Sequence, residues 1–281
     1  MFAINRIVAF VCIAFFTALA ADPSPKAFTM KFDNKDDEAE YNSSVVPRLK
    51  TLENFPTVDA FIKYYSPSIQ KCMNNSGGGS GLITCGNIEY NVWKREIAIY
   101  HARLEKNLDN KGRQLLTAAD SAWNKMVDKT LDFNSALLDK MYEDASGTMY
   151  IGMRADDARK ILIPMYMQHA LTLRDQVSLA PQSLESSASY DKKLNAAYKK
   201  LAGKQDDNNK SLLKAAQLQW LKARDAQIAL NKYLLDAKYA NTQEPASLAQ
   251  RAVVEDCLNA AFIDAKCKVL DAQAEAKPVD F

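Results

Sequence analysis

The chain has 281 residues, 48% of them hydrophobic and 25% charged, with a formal net charge of +2. That length and apolar content support the core of one large domain or two ordinary ones. The near-neutral charge argues against nucleic acid or an anionic membrane surface as the main partner.

The first stretch, MFAINRIVAFVCIAFFTALAADPS, has one early cation (Arg6), an apolar run from Ile7 to Phe16 and a small-residue exit at Ala18, Leu19 and Ala20. This is the anatomy of a secretory signal peptide over residues 1–20, and the run is shorter than the ~20 residues a membrane span needs. Its removal takes Arg6 and Cys12, lowering the net charge to +1 and leaving four cysteines, Cys72, Cys85, Cys257 and Cys267. An even count in an exported chain favours two disulfides and no free thiol. The competing reading is four buried thiols.

Residues 21–50, with DNKDDEAEYN and prolines 23, 25 and 47, read as a polar, flexible arm. From 51 to 71, Phe, Tyr and Ile are dense enough to pack a short helix against the helical region after it. The segment CMNNSGGGSGLITC then places Cys72 and Cys85 on either side of a glycine-rich loop, and a disulfide can close its ends. A bridge between Cys257 and Cys267 requires a break in the last helix, because ten residues of continuous helix span ~15 Å.

From residue 86 onward the pattern is helical, and it occurs twice. A shift of 97 residues aligns 93–128 with 190–225 without a gap and gives nine identities in 36 positions, where average usage gives roughly two or three. Leu115, Leu116, Ala118, Ala119, Trp123, Lys125 and Asp128 fall on Leu212, Leu213, Ala215, Ala216, Trp220, Lys222 and Asp225, and Asp109 falls on Asp206. Each unit reads as three helices, over 88–108, 111–141 and 155–178 in the first and 189–204, 208–239 and 247–274 in the second. The turns DNKG and DDNN carry residues that hydrogen-bond their own backbone and stop helices, so the first two helices of each unit form a hairpin. Leu213, Ala216, Trp220, Ala223, Leu230 and Leu234 recur at spacings of three, four and seven, the stripe of a packed helix. After Pro245, Ser247 with Gln250 reads as a capping box. The expected fold class is all-α: two tandem repeats of about three helices, each built on a long helix hairpin and supported by disulfides. The first repeat, with an N-terminal extension, covers 51–180 and the second covers 181–281.

Catalysis needs a nucleophile with a base, a metal cage or a tuned carboxylate pair. His101 and His169 are the only histidines, and His101 stands where Tyr198 stands in the second repeat. The cysteines show no CxxC and no zinc-like spacing, and GSGLITCG matches no phosphate-binding pattern. The chain therefore reads as a non-enzyme with no catalytic residue, metal or cofactor. Trp123 and Trp220 read as core residues. Gln217 and Arg224 share a face with Trp220 and read as ties to the hairpin partner, with a partner-binding face as the alternative. In repeat one Asp120 and Val127 take their places.

Residues 191–227, DKKLNAAYKKLAGKQDDNNKSLLKAAQLQWLKARDAQ, resemble the signature of the LprI-type lysozyme inhibitor family. The matching positions are Asp191, Leu194, Asn195, Tyr198, Leu201, Leu213, Ala216, Gln217, Trp220, Arg224 and Asp225. In repeat one Cys72, Cys85, NIEYNVWKREIAIYHARL, Trp123 and Asp128 also fit. Family members frequently carry a cysteine where this chain has Ile228. The resemblance implies an exported, disulfide-supported helical protein, periplasmic or secreted, with lysozyme inhibition as its activity. Its expected partner is a lysozyme or other peptidoglycan hydrolase, with no nucleic acid and no membrane after leader cleavage. The signature residues are expected to be structural. The acidic and amide-rich turn Asp206, Asp207, Asn208 and Asn209 is the expected contact with a muramidase cleft, which is built around two carboxylates. A reading from a different class is an envelope scaffold module, or an immunity protein against another toxin, that binds no lysozyme.

Overall fold

The computed structural model describes residues 30, 32, 34–76, 78–143, 147–179, 185–240, 242 and 244–275. The expected leader, residues 1–20, lies outside them. The helices are α1 (Lys35–Ser43), α2 (Val58–Asn75), α3 (Gly78–Lys106), α4 (Asn110–Met141), α5 (Thr148–Ser178), α6 (Ser187–Ala202), α7 (Asp207–Lys238) and α8 (Pro245–Glu275), with short 3-10 turns at Val46–Arg48 and Leu52–Asn54. The described residues contain no strand.

The shift of 97 residues that aligns the sequence also carries both ends of α4 onto those of α7, and both ends of α5 onto those of α8. Identical chemistry sets the starts. Asp109 caps α4 by accepting from the Gly112 amide at 2.8 Å, and Asp206 caps α7 by accepting from the Asn209 amide at 2.9 Å. Each carboxylate satisfies an amide that has no partner inside its helix. The next corner repeats as well: Arg154 of α5 pairs with Asp139 of α4, and Arg251 of α8 pairs with Asp236 of α7 at the same repeat positions.

Packing between the helices sets the geometry of the site. The first helix of each repeat lies mainly along the third, α3 on α5 and α6 on α8, while α4 and α7 pack on each other across the repeats. Those two run antiparallel. Tyr233 near the end of α7 donates to Asp109 at the start of α4, and Lys140 near the end of α4 reaches Asp206 at the start of α7 at 3.5 Å. Equivalent helices packed head to tail relate the repeats by a local two-fold, with Trp123 and Trp220 near its axis. The junction core holds both tryptophans with Met165, Phe262, Ile263 and Leu270. A buried amide chain crosses it: Gln176 of α5 donates to Asn231 of α7 at 2.7 Å, and Asn231 donates to Asn259 of α8 at 3.1 Å.

Four expectations are corrected. Residues 34–50 of the supposed flexible arm are docked on α3, with Tyr41 and Val46 buried. Arg95 of α3 donates to the carbonyl oxygens of Val46 at 2.6 Å, Leu49 at 2.9 Å and Lys50 at 2.9 Å, and pairs with Glu96 at 3.0 Å. Glu96 is fully buried and accepts from the Leu52 amide at 3.1 Å. A polar segment is thus held by hydrogen bonds to a buried ion pair rather than by its own apolar content.

The glycine-rich loop is the second correction. Cys72 and Cys85 are joined, with their Cα atoms 5.6 Å apart, but most of the segment is helical, with α2 ending at Asn75 and α3 starting at Gly78. A Cβ on Gly81 would lie 2.4 Å from the Ser76 carbonyl oxygen. Glycine lets α3 begin against the end of α2, and the disulfide holds the corner closed. Third, the expected second disulfide is absent: Cys257 and Cys267 are buried thiols on one uninterrupted α8, too far apart to bridge. Fourth, α8 opens at Pro245, the position where a missing N–H costs nothing, so Ser247 sits in the first turn and donates to Glu244 at 3.3 Å instead of capping.

Candidate protein-binding groove

The signature residues divide into two groups. Trp220 is 1% exposed and stacks on Phe262 at 5.9 Å, while Trp123 is 8% exposed and stacks on His169 at 4.1 Å. Both occupy core positions. Arg224 lies 5.6 Å over the Trp220 ring and donates to Asp225 from Nε at 3.0 Å and Nη2 at 2.8 Å. The Arg-Asp pair thereby covers the outer face of the buried indole with a cation held in place. Asp128, the equivalent of Asp225, is exposed on α4, with Val127 in place of the arginine.

The second group lines a surface groove of about 440 Å³ between α6 and α7. From α6 come Asp191, Leu194, Asn195 and Tyr198, and from α7 come Lys214, Gln217, Leu218, Leu221 and Arg224. The groove exists because α6 follows α8 and so parts from α7 after the turn. Leu194 is buried, and Leu218 is 51% exposed. The Gln217 side-chain oxygen is buried without a hydrogen-bond partner, a condition that costs roughly 1–3 kcal/mol unless a ligand donor satisfies it. An apolar knob beside an acceptor, two cations and a tyrosine is the composition of a protein-recognition patch. Signature residues expected to be structural, Asp191, Leu194, Asn195, Tyr198, Gln217 and Arg224, thus form this groove together.

In repeat one the same place is bridged. His101 and Asp120, which stand for Tyr198 and Gln217, meet at 2.7 Å and tie α3 to α4. Ser121, Asn124 and Val127 replace Leu218, Leu221 and Arg224. The exchanges at His101, Asp120 and Val127 are visible in the sequence, but the groove is not, since it depends on which neighbour α6 packs against.

The acidic turn is largely occupied. Asp206 is committed to its cap and to Lys140, and the Asn209 amide bond holds its carboxyl below the usual range. Asn209 itself is buried, while Asp207 and Asn208 face solvent. Asp207 pairs with Lys210 at 3.3 Å. Among the described residues no group of three or more His, Cys, Asp or Glu is placed to hold a metal.

A search of curated proteins finds no match to the chain. A solved structure of an uncharacterized protein from Burkholderia thailandensis is similar at 18% identity over 75% of this chain and 95% of that one, with a TM-score of 0.47. The family model described as Lysozyme inhibitor LprI matches twice, over residues 72–160 and 172–270, together more than half of the chain. The chain belongs to the LprI lysozyme inhibitor family.

Proposed function

We propose that the chain is an exported, non-catalytic binding protein that restrains a lysozyme or related peptidoglycan hydrolase, and that the repeat-two groove is its contact surface. The double family match carries the reading of inhibition. The groove supports the choice of surface because it gathers the repeat-two signature residues around an exposed Leu218 and an unpartnered Gln217 oxygen. An inhibitor of this kind needs no reactive group. It excludes substrate by occupying the approach to the enzyme's two carboxylates, with Lys214 and Arg224 as cations suited to an acidic rim. The Cys72–Cys85 disulfide suits an oxidising compartment, and no helix among the described residues is long and apolar enough to cross a membrane.

Turbidity of a peptidoglycan suspension, with several lysozymes and increasing amounts of the mature chain, tests the function. The expected outcome is saturable, stoichiometric slowing of lysis and no lysis by the chain alone. Lysis at the uninhibited rate with every lysozyme contradicts inhibition and favours the scaffold or immunity reading.

A further inference from the structure

A second site lies at the junction of the repeats, where α4, α5, α7 and α8 line a partly open cavity of about 40 Å³. Trp123 and Trp220 form part of its wall, and Thr130, His169 and Lys266 bring polar groups to it. Lys266 is the repeat equivalent of His169, so the local two-fold brings both to one space. Lys266 is 5% exposed, His169 is 5% exposed and Thr130 is 1% exposed.

Two of the three are left unsatisfied by the protein. The Thr130 hydroxyl and the His169 Nδ1 are buried without a hydrogen-bond partner. No carboxylate lines the cavity. The neighbouring Thr172 hydroxyl is already committed, donating to the Gln168 carbonyl oxygen at 2.9 Å. Unpaired buried polar atoms are costly, and Lys266, 5% exposed, meets no carboxylate in the cavity wall to balance its charge. The volume exceeds the roughly 10–15 Å³ that one water occupies on this scale. Water can satisfy the hydroxyl and the imidazole, but it supplies no negative charge.

We propose that this cavity binds a small monovalent anion of chloride or bromide size, paired with Lys266 and hydrogen-bonded by Thr130 and His169. A single negative charge balances the single ammonium. His169 contributes a hydrogen bond and no charge near neutral pH, because burial pulls its pKa down to about 4 despite Asp120 nearby. It is the only other titratable group lining the cavity. Burial also pulls Lys266 down to about 8, so anion affinity falls as pH rises above that value. The bound ion would link α4, α5 and α8 against Trp220 of α7, making the stability of the repeat interface depend on halide.

Thermal unfolding of the mature chain at pH 7 and constant ionic strength, with sodium gluconate replaced stepwise by sodium chloride or bromide, tests this. Gluconate is too large for the cavity. The expected result is a rise in Tm that grows with the logarithm of halide concentration above its Kd and reaches about 2–4 °C at about ten times Kd. Lys266→Met should keep the fold and lose the halide dependence, and Thr130→Val should weaken it. Anomalous scattering from crystals grown in bromide should place one ion beside Lys266 Nζ. Equal Tm in halide and gluconate, halide dependence undiminished in Lys266→Met, or no bromide in the cavity would each overturn the proposal.

Discussion

The two repeats share the ends of their second and third helices, their capping aspartates and their central tryptophans, yet they differ at two places where the described residues leave room. On the surface, repeat one closes its arms with His101 and Asp120, while repeat two leaves Tyr198 and Gln217 on either side of a groove. At the axis, repeat one contributes a neutral imidazole and repeat two a lysine. The shared frame thus presents different side chains at the surface and at the axis.

The largest expected effect tests the shared part. Trp220→Ala should cost about 3–5 kcal/mol in urea unfolding, through lost burial and the cavity left behind. Trp123→Ala should cost less, since its indole is 8% exposed against 1%. Wild-type stability in both would mean that the tryptophans serve binding and not the core.

Next comes a feature only repeat one has. Reducing the Cys72–Cys85 bond, whose sequence separation is 13, should cost about 3 kcal/mol. Amide exchange should accelerate at the α2–α3 corner and stay unchanged in α6 and α7. Uniform acceleration across both repeats would show that they unfold as one unit and weaken the comparison.

The buried pair at the axis sets the pH response. His169 has a folded pKa of about 4 against 6.5 when unfolded, so between those values the unfolded chain binds the extra proton and stability rises with pH. Acidifying through that window should lose on the order of 2–3 kcal/mol, most of it removed by His169→Gln. Lys266 is lowered in the same sense, to about 8 from 10.5. In halide-free buffer its contribution to stability should therefore still be rising between pH 8 and 10.5, and Lys266→Met should abolish that rise. Denaturant titrations at a series of pH values read both windows.

The smallest expected effect concerns the closed groove. His101 and Asp120 are 32% and 28% exposed, so Asp120→Ala should cost less than about 1 kcal/mol. A greater loss of denaturation midpoint would make that pair a structural bolt rather than a closure.

Much of this frame was legible in the sequence. The 97-residue shift, the aspartate caps and the tryptophan stripe are local patterns, and local patterns survive into the fold. The same shift also aligns Asn134 with Asn231, Asp139 with Asp236, Arg154 with Arg251 and Gln176 with Gln273, a signal that extends the repeat through the third helix. The groove was not legible, because it arises when α6 packs on α8 instead of α7. Nor was the docked arm: its anchor, Arg95, contacts carbonyls 45 to 49 residues away. The second disulfide failed for a different reason. Even cysteine counts say nothing about two thiols fixed apart on one straight helix.

If repeat two binds lysozyme and repeat one does not, calorimetric titration of lysozyme into matched variants will separate them. Leu218→Asp places a charge on the repeat-two groove, and Ser121→Asp places one at the same position of repeat one. The account predicts that Leu218→Asp weakens Kd at least tenfold, about 1.4 kcal/mol, while Ser121→Asp binds like the wild type and both melt within a degree or two of it. Wild-type affinity in Leu218→Asp, or a loss confined to Ser121→Asp, would contradict it.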